Sequence, residues 1–181
     1  MQVGSAILQN QQFELIIKRL CYQLIENHDN FSNSVIIGLQ PRGVYLAKRI
    51  HQELQRILAS NTILCGELDV TFFRDDFRKG APLLANKTKI DFIIEDKKVI
   101  LVDDVLYTGR TIRAGLDAML AFGRPSKVEL LVLVDRRYSR HLPIEPDYIG
   151  MSVDTISSEK VKVNWTETEG KDEVILLNNI D

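Results

Sequence analysis

Three short, largely apolar runs separated by amphipathic segments constrain the fold of this 181-residue chain most strongly. The runs occupy residues 34–39 (SVIIGL), 98–102 (KVILV) and 128–134 (VELLVLV). Strands with this pattern are buried on both faces, which is typical of a mainly parallel sheet covered by helices. Ligands of such sheets bind beyond the carboxyl ends of the strands. We therefore predict an α/β fold with a functional site in the loops after residues 39 and 102.

Three segments have the apolar spacing of a helix face, at residues 13–24, 44–58 and 112–120. The third ends at a Gly123-Arg124-Pro125 stop. Alternating apolar and polar residues predict a strand over 68–72, and a further short strand is predicted over 91–94. The polar segment 74–89 is predicted to be a mobile loop. The less regular segment from residue 135 to the end predicts a small cap or hairpin addition.

The amino-acid composition limits the classes of protein to which this chain can belong. The chain is 45% hydrophobic and 27% charged, which fits one well-packed globular domain over residues 1–181. A net charge of −2 and a pI of about 6.0 give no global basic field for nucleic acid. Cys21 and Cys65 lack metal-binding or CxxC spacing, so we interpret them as reduced thiols. Neither a leader pattern nor a membrane-spanning apolar stretch is evident, and we expect a cytoplasmic protein with no membrane partner.

The segment 99–111, VILVDDVLYTGRT, carries the main functional signal. It joins an apolar strand to the start of a helix, where free backbone N–H groups bind phosphate well. Gly109 allows the main chain to approach such a ligand closely. The hydroxyls of Thr108 and Thr111 and the cation of Arg110 suit the same anion. This segment therefore predicts a phosphate-binding loop.

Asp103 and Asp104 directly precede this loop, and their carboxylates would repel a phosphate. Vicinal hydroxyls or a hydrated Mg²⁺ ion are suitable partners for them. A ribose 5-phosphate offers both features, with its phosphate in the loop and its 2- and 3-hydroxyls on the acids. The alternative is a helix start at which Asp and Thr simply cap the first turn. The full order of the motif favours ligand binding.

Other nucleotide-binding motifs fit poorly. No GxGxxG follows a predicted strand, and the G-x4-G spacing of residues 38–43 is followed by Val44, where a P-loop needs Lys. A phosphoacceptor receiver domain also has paired acids after an apolar strand. There the acids come near the start of the domain, and no phosphate loop follows them directly.

Residues 99–111 resemble the 5-phosphoribosyl-1-pyrophosphate (PRPP) signature of the type I phosphoribosyltransferases. Four further blocks resemble the PyrR family of pyrimidine-operon attenuation regulators that are also uracil phosphoribosyltransferases. They are residues 37–49 (IGLQPRGVYLAKR), 66–76 (GELDVTFFRDD), 134–136 (VDR) and 146–150 (PDYIG). The resemblance spans residues 5–165. It implies a type I phosphoribosyltransferase fold, with a mainly parallel twisted sheet flanked by helices and a small hood subdomain to which residues 135–181 contribute.

The resemblance also implies site residues, of which Asp103, Asp104 and Arg42 are the catalytic candidates. Those implied in binding PRPP or UMP are Pro41, Arg42, Gly43, Asp103, Asp104, Val105, Leu106, Tyr107, Thr108, Gly109, Arg110 and Thr111. Those implied in the mobile loop over PRPP are Arg74, Asp75 and Asp76. Those implied in binding the base are Asp135, Arg136, Tyr148, Ile149 and Val161, with Tyr148 stacking on it. Each assignment has a structural alternative. Arg42 could be a solvated side chain at a strand-to-helix turn, residues 74–76 could belong to a solvated loop, and Tyr148 could be a half-buried strand residue.

In the implied reaction, uracil N1 displaces pyrophosphate from C1 of the ribose and UMP forms. Mg²⁺ would arrive with PRPP near Asp103 and Asp104, with no metal held mainly by the protein. Tyr107 stands where several purine-specific relatives carry an acid, so no general base is assigned. We expect the protein to act by positioning its substrates, excluding water and stabilising charge.

Three positions depart from the pattern of the attenuating family members. Those members carry cations near residue 145 and after residue 150, and Thr or Lys before Arg-Gly, whereas this chain has Glu145, Met151 and Pro41. The first helix (Lys18, Arg19) and residues 137–141 could still offer a positive surface. Two hypotheses therefore stand: a UMP-forming enzyme, and a UMP-responsive regulator that binds pyrimidine-operon leader RNA, with or without catalysis. Specificity for a purine base is a third, and the family implies a homodimer or higher oligomer.

Overall fold

The computed structural model describes residues 3–75, 85–156 and 158–178. Strands and helices alternate through most of the chain. The elements are β1 (Val3–Gln9), α1 (Asn10–His28), β2 (Ser34–Leu39), α2 (Gly43–Leu58), β3 (Leu64–Leu68), β4 (Lys98–Leu106), α3 (Arg110–Met119), β5 (Lys127–Arg137), β6 (Tyr148–Asp154), β7 (Glu159–Asn164), α4 (Thr166–Glu169) and β8 (Glu173–Asn178). Two single-turn 3₁₀ helices cover Thr71–Phe73 and Leu120–Phe122.

The main sheet has five strands in the order β3-β2-β4-β5-β6, and each neighbouring pair is parallel. Helices cover both faces, because successive residues of a strand point to opposite sides. Ile36 and Ile100 pack against α1 and α2, whereas Ile37 and Leu101 pack against α3. All four side chains are fully buried. The predicted α/β fold is therefore confirmed.

A second, antiparallel sheet has the strand order β1-β8-β7. Trp165, fully buried, joins this smaller sheet to the helices: its ring lies 5.2 Å from that of Phe13 in α1 and 5.9 Å from that of Tyr45 in α2. The cap or hairpin predicted from residue 135 onward corresponds in part to β7 and β8. The structure differs in two ways, because β6 joins the main sheet and the N-terminal strand β1 joins the smaller one.

Several strand boundaries differ from the sequence prediction. The strand predicted over 68–72 is wrong: β3 covers residues 64–68, and its register with β2 ends where β2 ends, at the pair Leu39 and Leu68. The strand predicted over 91–94 is also wrong, and that segment buries Ile94 in the core without strand pairing. The strand predicted over 98–102 continues to Leu106 because β5 pairs with it along nearly its whole length.

None of the helices in the described parts of the chain has both the length and the apolar character needed to cross a bilayer.

Candidate active site

The site lies at the carboxyl edge of the main sheet, where the turn after β2 approaches the loop after β4. A cavity of about 260 Å³ opens there and is lined by Arg74, Asp103 and residues 105–112. Of the residues predicted to bind a ribose 5-phosphate, Asp103 and residues 105–111 line this space, whereas Asp104 is not part of its lining. The carboxyl ends of neighbouring parallel strands meet at the same edge, which explains why segments distant in sequence converge there.

Asp103 and Asp104 are adjacent residues of β4, and their carboxyl groups lie close enough to interact with each other. Asp103 borders the cavity and accepts a 2.9 Å hydrogen bond from the Asp104 backbone N–H. The Asp104 carboxylate accepts a 3.3 Å hydrogen bond from Nε of Arg42. Both aspartates are buried, yet each carboxylate has a polar neighbour rather than packed hydrocarbon.

Burial raises the pKa of both carboxyl groups above the ordinary range. For Asp103 the nearby Asp104 charge adds to this effect, whereas the Arg42 guanidinium opposes the rise at Asp104. A hydroxyl pair or a cation that binds here stabilises the ionised carboxylates, which burial alone disfavours. A polar or cationic ligand therefore stabilises the ionised forms of Asp103 and Asp104.

The loop between β4 and α3 turns at Gly109, whose φ of 88° lies in the left-handed region that favours glycine. Helix α3 begins at the next residue, so its first turn faces the cavity. Asp75 bridges two cations of this turn, at 2.5 Å from Arg110 and 3.3 Å from Arg113. Arg74 borders the same cavity, and the third predicted mobile-loop residue, Asp76, lies outside the described residues.

The turn before α2 is pressed against β4. The Gln40–Pro41 peptide bond is cis, and Gly43 is the first residue of the helix. A Cβ atom at Gly43 would lie 2.5 Å from the Val102 carbonyl oxygen and 2.9 Å from Cα of Asp103. The glycine thus allows the turn and the aspartate strand to approach at backbone distance.

Arg42 does not present a free guanidinium. Its Nε donates to Asp104, its Nη1 donates to Glu169 at 3.2 Å, and its Nη2 donates to the Val163 carbonyl oxygen. The expectation that this cation faces a leaving group is therefore corrected: in this structure the protein itself engages all three nitrogens. Glu169 was not predicted, and its only sequence signal is the polar WTETEG stretch of residues 165–170.

Arg136 connects the loop after β4 with the residues that follow β6. Its guanidinium lies 3.9 Å from the centre of the Tyr107 ring. It also donates to the Thr155 hydroxyl at 3.1 Å and to the Glu159 carbonyl oxygen at 2.9 Å. A second cavity, of about 220 Å³, adjoins this stack and includes Tyr107, Arg136 and Thr155 in its lining. Arg136 and Tyr107 were both predicted, but their stacking was not.

Arg140 is a further site residue that sequence reasoning missed. It pairs with Asp135 and donates to the carbonyl oxygens of Tyr107, at 2.6 Å, and Leu106, at 3.3 Å. The basic stretch 137–141 had suggested a positive surface. That expectation is wrong for Arg140, whose bonds are internal to the protein.

The structure brings only some of the residues predicted to bind the base close to one another. Tyr148 is buried at the start of β6, and its hydroxyl donates to Glu129 at 3.2 Å. Burial raises its pKa to about 12. The expected stacking of Tyr148 on a base is therefore wrong, since its ring packs beside His28 of α1. Ile149 shares a cavity of about 310 Å³ with Asp135, and Val161 packs partly buried on the core.

The carboxylates at the cavity suit a cation that arrives bound to the substrate better than a cation held by protein ligands alone. In residues 3–75, 85–156 and 158–178, no three His, Cys, Asp or Glu side chains are grouped as metal ligands. Asp103 offers one carboxylate at the edge of the cavity and Asp104 a second one beside it, and phosphate oxygens would complete a hard, oxygen-rich shell of the kind Mg²⁺ prefers.

Comparison with known proteins agrees with this geometry. Residues 3–168 match the model of the phosphoribosyl transferase domain family. A bifunctional protein PyrR from Desulfosudis oleivorans is 46% identical over 177 residues, which is 97% of each chain. A bifunctional protein PyrR from Bacillus subtilis is 43% identical over 183 residues, with 99% of each chain covered.

A solved structure supports the fold independently. A hypoxanthine phosphoribosyltransferase from Staphylococcus aureus superposes with a TM-score of 0.69, at 18% identity, over 94% of this chain and 90% of that one. At that identity the likeness supports the architecture alone, which is the type I phosphoribosyltransferase fold. The sequence relatives narrow the assignment further, and the chain belongs to the PyrR family of phosphoribosyltransferases.

Proposed function

We propose that this phosphoribosyltransferase acts on uracil and PRPP and forms UMP and pyrophosphate. The observation that carries the proposal is the single cavity at which Asp103 and the 105–112 loop meet. A sugar diol and a 5-phosphate need these two kinds of group at one site. The PyrR relatives, which match along the whole chain, favour uracil as the acceptor.

In the proposed complex, the 5-phosphate lies in the loop before α3. There the backbone N–H groups of the first helical turn and the hydroxyls of Thr108 and Thr111 donate to it. The ribose hydroxyls donate to Asp103 and Asp104. Pyrophosphate lies beside the turn of residues 40–43, whose approach to β4 is set by Gly43. The three parts of PRPP are thus bound by three different segments.

The reaction forms a bond between uracil N1 and ribose C1 and breaks the bond from C1 to the pyrophosphate oxygen. The uracil N1 proton passes to an oxygen of the departing pyrophosphate as the new bond forms. The protein contributes position and charge: it holds both substrates in line and excludes water. Mg²⁺ bound with PRPP supplies charge neutralisation for the leaving pyrophosphate.

The Arg136–Tyr107 stack supports a position for the base. The aromatic ring, 42% exposed, borders both the phosphate-loop cavity and the neighbouring 220 Å³ cavity. A pyrimidine ring that enters from the ribose side meets this ring first. Tyr107 carries no carboxylate for the ring nitrogens of a purine, which favours a pyrimidine.

A panel of bases tests the proposal directly. Release of pyrophosphate from PRPP is measured with uracil, orotate, hypoxanthine and guanine in turn, with Asp104→Asn as the inactive control. We expect turnover with uracil alone. Turnover with a purine base and none with uracil would refute the uracil assignment and leave the phosphoribosyltransferase assignment intact.

A second proposed function is UMP-responsive binding of pyrimidine-operon leader RNA, which the PyrR resemblance favours. Two cations that could have formed its surface are engaged by the protein: Arg19 donates to the Ile149 and Gly150 carbonyl oxygens, and Arg137 pairs with Asp154 at 2.6 Å. Lys18 remains an exposed cation on α1.

The RNA proposal is tested by titrating the chain with its own leader RNA at several salt concentrations, with and without UMP. Phosphate contacts give a steep decrease of affinity with salt. A shallow salt slope together with no effect of UMP would exclude it.

We also propose a homodimer or higher oligomer, which sedimentation equilibrium measures on the same samples.

A further inference from the structure

The Arg42 guanidinium connects the proposed PRPP site to the smaller sheet. Nε faces Asp104 at 3.3 Å, while Nη1 and Nη2 face the two carboxylate oxygens of Glu169 at 3.2 and 3.5 Å. Nη2 also donates to the Val163 carbonyl oxygen in β7. The side chain of Arg42 is 32% exposed, and its planar fork lies between two carboxylates. Paired donors of this kind fix orientation as well as charge.

Glu169 is itself held firmly. It accepts hydrogen bonds from the Thr168 hydroxyl and, at 2.9 Å, from the Trp165 backbone N–H. These bonds and the Arg42 cation lower the pKa of Glu169 to about 2, so the carboxylate is ionised at any working pH. Trp165 is fully buried, so the turn that carries Glu169 is anchored in the core.

A neighbouring ion cluster fixes the same turn against α2. Arg49 pairs with Glu167 and with Asp172 at 2.7 Å each, and its guanidinium lies 5.0 Å from the centre of the Trp165 ring. Arg42 precedes α2 and Arg49 lies in its second turn, so two carboxylates of α4 contact one stretch of eight residues. Within the described residues, the ion pair of Glu167 is with Arg49, whereas that of Glu169 is with Arg42 at the site.

With both carboxylates ionised, the group of Arg42, Asp104 and Glu169 has a net charge of −1. Such a group does not attract a pyrophosphate by itself, and it is better suited to holding structure in place. We infer that Glu169 is a positioning residue for PRPP binding, which acts through Arg42 by fixing the turn of residues 40–43 against Asp104. The inference rests on the proposed function, because it needs PRPP to bind at this turn.

A double-mutant cycle tests whether Glu169 acts through Arg42. The variants are Glu169→Gln, which keeps the size and one acceptor, Arg42→Gln, and the two combined. Glu167→Gln is the matched control, since it removes an equivalent charge from the same helix without contacting Arg42. PRPP binding is measured by calorimetry in the presence of Mg²⁺ and without a base, and KM and kcat are measured separately.

We expect Glu169→Gln to weaken PRPP binding by about tenfold, as the loss of one charge-assisted hydrogen bond does. The KM for PRPP should rise accordingly, with kcat changed by less than about threefold, because the loss is one of binding. The double variant should bind no more weakly than Arg42→Gln alone. Glu167→Gln should bind PRPP as the unmodified chain does.

Three results overturn the inference while PRPP still binds to the unmodified chain. They are additive losses in the double variant, unchanged PRPP affinity in Glu169→Gln, and tighter PRPP binding in Glu169→Gln. The last would mean that Glu169 competes with pyrophosphate for Arg42. An unmodified chain that does not bind PRPP at all would overturn the proposed function and the inference together.

Discussion

Gly43 is the position at which one added methyl group tests the geometry of the site most directly. Its substitution by alanine places a Cβ atom 2.5 Å from the Val102 carbonyl oxygen, 2.9 Å from Cα of Asp103 and 3.1 Å from Oδ1 of Asp103. Two of these three neighbours are main-chain atoms of a central strand, which cannot rotate away. The helix must therefore move from the strand, or the strand from the helix.

The size of that movement follows from the contact distances. A carbon atom and a carbonyl oxygen approach to about 3.3 Å without repulsion, so the gap must widen by roughly 0.8 Å. A misplacement near 1 Å costs a reaction that depends on positioning about 10²-fold. We therefore expect Gly43→Ala to lower kcat/KM for PRPP by about 100-fold, which corresponds to about 2.7 kcal/mol.

Folding should respond less than catalysis. Alanine is favoured over glycine in a helix by about 1 kcal/mol, and overpacking costs about 1–3 kcal/mol. The two effects partly cancel, so the net change in the free energy of unfolding should stay within about 2 kcal/mol. For a chain of this size the melting temperature should then move by no more than about 8 °C.

The assay is steady-state release of pyrophosphate with PRPP varied at saturating base, together with thermal unfolding. Gly115→Ala is the control: it makes the same change within α3, where the nearest atoms to the added Cβ are the flexible side-chain ends of Leu39, at 3.0 Å, and Leu101, at 3.5 Å. We expect its kcat/KM to stay within about threefold of the unmodified chain. If the Gly43→Ala protein has the same kcat/KM for PRPP as the unmodified chain, the claim that this close approach positions PRPP is refuted.

Three further substitutions test individual contacts. Asp103→Asn should abolish transfer yet raise the free energy of unfolding by about 1 kcal/mol at neutral pH, because it removes a buried charge. Folding raises the pKa of Asp103, so the folded state binds the extra proton and the gain should shrink as pH falls towards about 4. Tyr148→Phe should lower the free energy of unfolding by about 1 kcal/mol, through the lost bond to Glu129, and change the KM for the base less than about twofold. Arg140→Gln should raise the KM for PRPP at least about tenfold, because Arg140 holds the Tyr107 carbonyl oxygen in the phosphate loop.

Urea unfolding between pH 4 and 8 measures the free energy of unfolding of Asp103→Asn and Tyr148→Phe, and steady-state kinetics measures the activity of all three variants. The charged groups that act on Asp103 are the Asp104 carboxyl group beside it and the Arg74 guanidinium, so the pH series needs constant ionic strength. A stability gain of Asp103→Asn that grows towards low pH would contradict the direction of its pKa shift. A large rise in the KM for the base in Tyr148→Phe would show that Tyr148 contributes to binding the base after all.

The local parts of this structure could be predicted because each depends on neighbouring residues. The strand over residues 34–39 and the helix that follows it were identified with little error, since their apolar spacing is continuous. The turn between β4 and α3 was located because a strand end, a glycine and a helix start are adjacent in the sequence there. Gly109, with its positive φ, stands at the expected turn.

The contacts that cross the chain could not be predicted in this way. Arg42 and Glu169 are 127 residues apart, and Tyr148 bonds to His28 across 120 residues. No pattern within either segment indicates these partners. The assignment of Tyr148 failed for the same reason: family likeness placed the residue in a motif, but the packing of α1 against the main sheet determines what its ring touches.

The adjacent pair Asp103 and Asp104 shows why two neighbouring carboxylates are not redundant. Asp103 borders the phosphate-loop cavity, whereas Asp104 meets Arg42 and, through it, the smaller sheet. Burial opposes the ionisation of both, so the ligand-free site carries a cost that a bound diol or cation removes. Part of the affinity for PRPP should then come from relief of this cost, and Asp103→Asn should lose that affinity while it gains stability.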